Sequence, residues 1–480
     1  MSGRSQVGGL DVQGSNGSGA TPAGPDGTGG SGANRSVGNS ASGGGSASGV
    51  TGGSSGAAAG GDAPVGSRGP VSSGDGPVTA GNKGPLLVGF VATKCSNCSA
   101  IGTAYTAPTY SDQQLEQAVV KGINSRGGIA GRQVQAVYAT VDTASASWGT
   151  DYQAACSTFT QDNHVVAVFG YSFAYEENLA SCLSKAGVLW INGGYAGGDL
   201  ETFAKYRYYF TDVAPTEDAE LILSVNSALE DGVISPKSRL GILQVSCPQD
   251  VRSFNNSLMP YLTAHHLNLV SNQTSSCVSG AQDDGSYVAF VQHAQLQMRT
   301  DGVDSVIIAG IPLIVFAENA ESQHWYPHYV AFGGGAPYEP YLPADQLANI
   351  HGAGWLPTLD VDTGQQPPLT AAQSDCLDLL RRGGVDVPIG QRNFAFIACD
   401  GIRMYAQAVA KIGGDSAPPH VTSSLESLGN SYQSAVTVDS GSNLTATRHA
   451  SPSGFRSNVY KTACNCFQYV GPVRPIPQSG

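Results

Sequence analysis

The first 84 of the 480 residues contain no aromatic residue and no cysteine, although 27 of the 63 glycines lie there. A segment without large apolar side chains cannot bury enough surface to offset the entropy of ordering its backbone. A packed domain is therefore excluded for Met1–Gly84, and its Gly/Ser-rich composition predicts a disordered, flexible tract. Residues 85–480 are numerous enough to form a large core or two lobes.

Long apolar runs and positive charge are also scarce. No run approaches the roughly 18–20 apolar residues that a membrane span requires, and no apolar segment typical of a secretory signal follows Arg4. The chain has 24 basic and 37 acidic residues, a net charge of −13 at pH 7. The first 84 residues hold four of each sign, so the whole excess lies in the rest. Nucleic acids and anionic membranes bind basic patches, which disfavours both as partners.

Common catalytic motifs are absent as well. The sequence has no G-x-S-x-G elbow, no phosphate-binding Walker loop and no H-E-x-x-H zinc motif. Nothing in it pairs a nucleophile with a base. We therefore predict a protein that is not an enzyme and that needs no cofactor and no metal.

Ten cysteines are present, all after residue 84. The spacings of 26, 30 and 23 residues predict three local disulfides, which join Cys156 to Cys182, Cys247 to Cys277 and Cys376 to Cys399. Each would contribute about 3 kcal/mol on the loop-entropy model. Disulfides favour an oxidising, extracytoplasmic compartment over the alternative of reduced core cysteines. We expect the export signal to lie outside this sequence, or the true start site to precede Met1.

The other four cysteines lie in two close pairs. Cys95-Ser-Asn-Cys98 follows a predicted strand, but the next residues do not predict the helix that lowers the first thiol's pKa in redox sites. A local structural disulfide is the favoured prediction there. Cys464 and Cys466 form either one short bridge or bonds to two other partners. A zinc site built from both pairs is a less favoured alternative.

The periodicity of the remaining sequence is typical of an α/β protein. Pro85–Ala92 is a nearly continuous apolar run, as in a strand buried on both faces. Ser111–Asn124 predicts a helix capped by Ser111 or Asp112, and Val134–Val141 predicts the next strand. Further helices are predicted at 150–161, 176–185, 217–229, 251–264, 287–298 and 400–412. Further strands are predicted at 165–169, 188–191, 240–245, 267–270, 303–309 and 329–332, with a closing hairpin at 454–470. This alternation predicts parallel sheets with helices on both faces.

One stretch resembles a known family. Gln117–Val134 (QAVVKGINSRGGIAGRQV) is similar to the first helix and following strand of type I periplasmic (extracellular) solute-binding proteins of ABC transporters, the leucine/isoleucine/valine-binding class, in which the helix ends in I-N-x-x-G-G-I-x-G-R. The opening strand, Val165–Phe173, Val188–Tyr195 and Tyr208–Pro215 also agree with that family. The resemblance covers about residues 85–475 in order.

The resemblance implies an architecture and a function. Two lobes, each a mostly parallel sheet flanked by helices, are joined by three hinge crossovers and close on a ligand. Lobe 1 is expected at 85–212 plus 357–453, and lobe 2 at 213–356 plus 454–480. The implied function is capture of a small polar ligand, such as an amino acid or amide, for delivery to an ABC transporter permease. The Gly/Ser tract would tether the protein to the membrane. A ligand-sensing or regulatory ectodomain on the same fold is the alternative.

The family binds its ligand on two lobe-1 loops, which correspond to 171–174 and 192–196 here. The implied binding residues are Tyr171, Ser172, Phe173, Ala174, Asn192, Gly193, Gly194, Tyr195 and Ala196. Hydroxyls and the glycine N–H groups would form a seat for an anionic end of the ligand. The second loop departs from the family's Ser-x-Ala-x-Thr pattern, because it lacks the threonine.

Lobe 2 is expected to contribute Ser246, Gln249 and Asp250 from the loop after its first strand, and Tyr105 would stack on the ligand from the first loop of lobe 1. In the family a lobe-2 carboxylate neutralises the ligand's ammonium; Asp250 has a suitable position, and Glu339 is the alternative. The alternative for Asp250 is capping of the helix that starts at Val251. The alternative for Tyr105, Tyr171 and Tyr195 is ordinary packing over loop backbone.

Overall fold

The computed structural model describes residues 84–94, 96, 109–172, 177–309, 313–333, 335–438 and 441–477. Several sequence-based predictions lie outside these residues: the Gly/Ser tract up to residue 83, Tyr105, Phe173, Ala174 and the pair Cys95 and Cys98.

The described residues form twelve strands and fourteen α-helices. The strands are β1 (Leu86–Lys94), β2 (Val134–Asp142), β3 (Ala167–Phe169), β4 (Leu189–Asn192), β5 (Tyr209–Thr211), β6 (Arg239–Val245), β7 (Asn268–Ser275), β8 (Ser305–Ile308), β9 (His328–Phe332), β10 (Ile350–Gly354), β11 (Gly454–Lys461) and β12 (Cys466–Pro475). The helices are α1 (Asp112–Ser125), α2 (Trp148–Ser157), α3 (Glu177–Lys185), α4 (Leu200–Lys205), α5 (Glu217–Glu230), α6 (Pro248–Ser253), α7 (Met259–Ala264), α8 (Asp284–Thr300), α9 (Leu313–Ser322), α10 (Ala344–Leu347), α11 (Pro357–Asp360), α12 (Ala371–Arg382), α13 (Arg392–Lys411) and α14 (Pro418–Glu426).

The strands form two separate sheets. The first has the order β2-β1-β3-β4-β5 and is parallel throughout. The second has the order β12-β11-β10-β9-β8-β6-β7, in which β6 to β10 run parallel and the hairpin β11–β12 is antiparallel. The predicted α/β alternation and closing hairpin are confirmed.

Each sheet carries its own helices, and we call a sheet with its helices a lobe. Helices α12 and α13 pack on α1, and α13 also contacts β3 and β4, so these late helices belong to the first lobe. Helix α5 packs on β9 and β10 of the second lobe. The chain therefore passes between the lobes three times, after β5, after β10 and before β11.

Hydrogen bonds join the passages to one another. The buried Trp355, directly after β10, donates from its indole Nε1 to the carbonyl oxygen of Val213 at 2.8 Å. Val438 donates its N–H to the carbonyl oxygen of Trp355 at 2.7 Å, and Ser451 donates its N–H to that of Thr211 at 2.9 Å. The three passages are thus bonded into one hinge region.

The stretch Gln117–Val134, which resembles the solute-binding family, has a structural role. Ser111 caps α1 in a capping box with Gln114, as the sequence predicts. Gly127, Gly128 and Gly131 have φ values of +98°, +80° and +78°, a region that side chains disfavour. An added Cβ at Gly128 would lie 1.9 Å from the carbonyl oxygen of Arg132. The glycines therefore turn the chain from α1 into β2.

All three disulfides predicted from spacing are present: Cys156–Cys182, Cys247–Cys277 and Cys376–Cys399. Cys464 and Cys466 bond to each other, which decides between the alternatives left open and removes the zinc site. Each bond lies within one lobe, so none crosses the hinge. Among the described helices, none has the length and apolar character needed to cross a bilayer.

Candidate functional site

A cavity of about 840 Å³ lies between the two lobes. The second lobe lines it with the last residues of three parallel strands, Val245 of β6, Ile308 of β8 and Phe332 of β9. The first lobe contributes Trp148 at the start of α2 and Tyr195 after β4. Ligands of parallel α/β sheets bind beyond the carboxyl ends of strands, so this cavity is the candidate binding site.

Two of the predicted lobe-1 residues, Tyr195 and Ala196, line the cavity. The Tyr195 ring packs edge-to-face on Tyr171 with centroids 5.4 Å apart, and its hydroxyl accepts a hydrogen bond from Asn393 Nδ2. Tyr171 in turn packs on Phe394 at 6.1 Å. Tyr195 therefore faces the cavity from a fixed aromatic cluster, and Tyr171 supports it from behind.

The other predicted lobe-1 residues that the structure describes are bonded within the protein. Ser172 is fully buried and shares a 2.6 Å hydrogen bond with the hydroxyl of Tyr152. Gly193 donates its N–H to the carbonyl oxygen of Gly170 at 3.0 Å, and Gly194 donates its N–H to Asn192 Oδ1 at 2.9 Å. Donors that already have partners offer little to a ligand.

Close packing explains the two glycines of this loop. An added Cβ at Gly194 would lie 2.0 Å from the carbonyl oxygen of Ser172, and one at Gly193 would lie 3.0 Å from Ile397 Cγ2. The buried Asn192 fixes the loop further, because its Nδ2 donates to the carbonyl oxygen of Ala196 at 3.2 Å. The loops after β3 and β4 thus pack backbone to backbone.

In the second lobe, Gln249 and Asp250 line the cavity, and Ser246 is exposed nearby. The N-cap of α6 is Cys247, so Asp250 is not the cap that the alternative interpretation required; it lies in the first turn. The Cys247–Cys277 disulfide joins the ends of β6 and β7, and both cysteines line the cavity. It fixes the loop that holds Asp250.

Two further carboxylates adjoin Asp250 in the cavity wall, Glu217 and Glu220 at the start of α5. The carboxyl groups of Glu217 and Asp250 lie close enough that each affects the pKa of the other. Burial, followed by repulsion from Asp250, raises the pKa of Glu220 to about 8 and places the pKa of Glu217 well above its usual range. Burial raises the pKa of Asp250 to about 6, although its interaction with Glu217 opposes the shift.

A charge pair joins the lobes beside these carboxylates. Arg252 of α6 donates from Nε to Asp199 Oδ2 at 2.5 Å and from Nη2 to Asp199 Oδ1 at 3.0 Å. Asp199 belongs to the first lobe and is 2% exposed. Burial opposes its ionisation, but the hydrogen bonds from Arg252 and Thr202 lower its pKa overall. The pair is bidentate and largely dry, the strong class of ion pair.

Backbone hydrogen bonds join the lobes on the other side of the cavity. Trp148 donates its N–H to the carbonyl oxygen of Ser279 at 3.0 Å, and Ala281 donates its N–H to that of Ser145 at 2.9 Å. An added Cβ at Gly280 would lie 2.3 Å from the carbonyl oxygen of Ala146. The lobes therefore touch at both rims of the cavity, as they do when a cleft is closed.

Sequence reasoning missed most of the cavity wall. Glu217 and Glu220 follow the N-cap Thr216, where acidic residues commonly stabilise the helix dipole, so their pattern did not distinguish a site from a cap. Glu177 accepts hydrogen bonds from Lys205 Nζ and from the Tyr206 hydroxyl, both at 2.6 Å, and these lower its pKa. The available signal was that some helices begin directly beyond strand ends, where binding sites lie. Using this signal requires the order of the strands in each sheet.

Comparison with known proteins gives similarity in structure only. No protein-family model and no curated protein matches the chain. Among solved structures, LivJ, the branched-chain amino acid transporter substrate-binding protein from Streptococcus pneumoniae with bound isoleucine, is 17% identical with a TM-score of 0.55. That match covers 81% of this chain and 100% of LivJ.

Two other solved structures give the same result. A solute-binding protein of an ABC transporter from R. palustris, in complex with 4-hydroxybenzoate, is 15% identical with a TM-score of 0.59; the match covers 82% of this chain and 98% of the other. The leucine-binding protein LivK from Thermotoga maritima is 12% identical with a TM-score of 0.56, over 81% of this chain and 98% of LivK. The protein therefore has the two-lobed type I periplasmic-binding-protein fold, which confirms the fold that the resemblance implied.

Proposed function

We propose that this protein is an extracytoplasmic solute-binding protein, which captures a small polar ligand such as an amino acid, an amide or a related compound. The observation that carries the proposal is the 840 Å³ cavity, because both lobes line it at the carboxyl ends of their strands. A ligand that touches both lobes stabilises the closed arrangement. Tyr195 and Ala196 on one wall, and Gln249 and Asp250 on the other, are the proposed contacts among the predicted residues.

Closure of the two lobes would signal to a partner protein that a ligand is bound. The contacts of Arg252 with Asp199 and of Trp148 with Ser279 form only while the lobes are together. A transporter permease that recognises the closed form would receive loaded protein. Delivery to an ABC importer is therefore part of the proposal, supported by the transporter origin of the structural neighbours.

The disulfides support the proposed location. Four cysteine pairs are bonded in the described part of the chain, and such bonds persist in oxidising compartments. In this proposal the Gly/Ser tract, which lies outside the described residues, tethers the lobes to the membrane. We also propose lobe boundaries near residues 212, 356 and 453, where the chain passes between the lobes.

A thermal-shift screen of the full chain tests the function. The panel consists of amino acids, their amides, and aromatic acids such as 4-hydroxybenzoate. A ligand at a hundred times its Kd stabilises the folded state by about 2.7 kcal/mol, which raises the melting temperature measurably. Small-angle X-ray scattering of the same sample should then show a smaller radius of gyration with ligand than without it.

A matched pair of variants locates the binding site. Gln249→Ala removes a side chain from the cavity wall, and Gln292→Ala removes an exposed one from α8. Affinity should fall in the first variant and stay unchanged in the second. Equal ligand affinities in the two variants would show that the ligand binds outside this cavity. Ligand-induced compaction that is unchanged in Gln249→Ala would show the same.

A further inference from the structure

We propose that the ligand of this cleft is an organic cation, an amine or guanidine attached to an apolar or aromatic body and lacking a carboxylate. The inference deepens the proposed function and rests on it. It differs from the isoleucine and 4-hydroxybenzoate found in the neighbouring structures.

The charged residues of the cavity wall all have the same sign. Its described residues include five with carboxyl groups and no lysine, arginine or histidine. Two of the five are bonded within the protein: Glu177 to Lys205, and Asp360 to the N–H of Leu356. This leaves the group of Glu217, Glu220 and Asp250, which we call the acidic triad.

No described lysine or arginine forms an ion pair with the acidic triad. The guanidinium nearest in sequence, that of Arg252, is held in two hydrogen bonds by Asp199. Within the triad, burial and then repulsion from Asp250 raise the pKa of Glu217 well above its usual range, so negative charge is disfavoured there. Clustered carboxyls in a partly enclosed cavity repel one another, and a ligand cation supplies the missing positive charge.

Three of the polar groups expected to bind a ligand carboxylate are already in use. Gly193 and Gly194 donate their N–H groups to Gly170 and Asn192, and the Ser172 hydroxyl pairs with Tyr152. Among the described residues of the predicted anion seat, the two glycine N–H groups and the Ser172 hydroxyl are therefore paired within the protein. A zwitterionic ligand would bring its carboxylate into a wall whose charged groups are all acidic.

The rest of the wall suits an apolar or aromatic body. Trp148, Tyr195 and Phe332 present rings, and rings attract cations over their faces. Tyr287 also lines the cavity, and its hydroxyl is buried without a hydrogen-bond partner in the described structure. A buried hydroxyl without a partner is unfavourable, so a polar group on the ligand body would stabilise it.

Proton release should accompany binding. Besides the triad, the charged and titratable groups near this wall are Glu177 with Lys205, Asp199 with Arg252, Asp360, Tyr195, Tyr287 and Tyr338. Burial raises the pKa of Glu220 to about 8 and that of Asp250 to about 6. An alkylammonium keeps its charge through this range and favours ionised carboxylates. Its affinity should therefore increase as the pH rises from about 5 to about 8.

The test compares ligands that share a body and differ in charge. Two sets are titrated calorimetrically into the full chain: 3-methylbutylamine, leucine and 4-methylpentanoate; and 4-hydroxybenzylamine with 4-hydroxybenzoate. We expect the amine to bind most tightly in each set, by roughly tenfold or more, with proton release that depends on buffer ionisation enthalpy. Tighter binding of leucine or of either acid overturns the inference but leaves the proposed function intact. If no member of either set binds, the inference falls, and the thermal-shift panel decides the proposed function separately.

Variants tie the effect to the triad. Glu220→Gln and Asp250→Asn should each weaken amine binding roughly tenfold to a hundredfold and reduce its pH dependence. Glu201→Gln, an exposed acid beside Arg252 that is not part of the wall, should leave the affinity within about twofold. Melting temperatures confirm that each variant folds. Equal losses of amine affinity in all three variants would indicate that removing any nearby negative charge weakens binding. That result would overturn the assignment of the cation site to the acidic triad.

Discussion

The two walls of the cavity use their polar groups differently. In the first lobe, the described polar groups of the loops after β3 and β4 pair internally, as Ser172 does with Tyr152 and Gly194 with Asn192. In the second lobe, Glu217, Glu220 and Asp250 face the cavity without a cationic partner among the described residues. Polar groups that pair within the protein build the wall, whereas carboxyls without a cationic partner indicate what the ligand supplies. The following experiments alter one wall at a time, and the expected changes in stability decrease from the first to the last.

Removal of the disulfide in the second wall should have the largest effect. The Cys247–Cys277 bond closes a segment with a sequence separation of 30, so changing both cysteines to Ala should lower the free energy of unfolding by about 3–4 kcal/mol. Ligand affinity should fall too, because both cysteines line the cavity. Chemical denaturation and ligand titration measure the two effects.

The Cys376–Cys399 bond is the matched control, since it joins α12 to α13 behind the first sheet. Its removal should lower stability by a similar amount and leave affinity unchanged. An equal loss of affinity in both variants would mean that the Cys247–Cys277 bond is no more important for ligand binding than the Cys376–Cys399 bond.

In the first wall, Gly194→Ala should destabilise the fold by about 3 kcal/mol, because the new Cβ would meet the carbonyl oxygen of Ser172 at 2.0 Å. Gly285→Ala is the control: it lies in α8 with no atom within 4 Å of the added Cβ, and alanine favours helix. Thermal melts should show a lower melting temperature for the first variant and an equal or higher one for the second. A tolerated Gly194→Ala would contradict the close packing of the two loops.

The charge pair that joins the walls should have an intermediate effect. Arg252→Gln leaves the buried Asp199 without its two charge-assisted hydrogen bonds, at an expected cost of about 2 kcal/mol to the closed form. Scattering should show a larger radius of gyration for the ligand-free variant. Lys205→Gln, which breaks an exposed pair within the first lobe, is the control and should not change it.

The smallest expected effect is the pH dependence of the ligand-free protein. The pKa values of Glu220 and Asp250 are raised on folding, to about 8 and about 6, so protonation favours the folded state. Stability from these groups is fully present below their unfolded values near 4 and is lost as the pH rises through the raised values. Melting temperature should decline between pH 4 and 8. Glu220→Gln should remove part of the decline, roughly 1 kcal/mol after solvent screening, and an unchanged slope would contradict the raised pKa.

Local signals predicted much of the fold. Ser111 caps α1, the glycines after it adopt positive φ, and the cysteine spacings gave three correct disulfides. Strand β10 (IHGAG) was missed, because its histidine and glycines show no strand pattern and its burial comes from neighbours distant in sequence. Helix α12 was also missed, although Thr370 and Gln373 form a capping box that could have indicated it.

The candidate site was harder to predict than the fold. Asp250 and Tyr195 were placed correctly relative to strand ends, but the resemblance could not show whether a donor was already bonded. The partner of Ser172 lies twenty residues earlier, on α2, and only the packing of α2 against the loop after β3 reveals it. Likewise, Glu217 and Glu220 belong to the wall because of where α5 packs, which depends on the order of strands in the second sheet.

The two tryptophans of the cavity provide a built-in optical signal. The sequence has four tryptophans, and Trp148 and Trp355 both line the cavity, one from the first lobe and one from the hinge passage after β10. Trp190 and Trp325 lie away from it, in the interior of the first sheet and beside Phe316. Indole emission depends on the polarity of its surroundings, so displacement of water by a ligand should shift the emission of two of the four fluorophores. The protein therefore carries its own label for occupancy, and unmodified samples suffice for stopped-flow measurement of how fast the cleft fills.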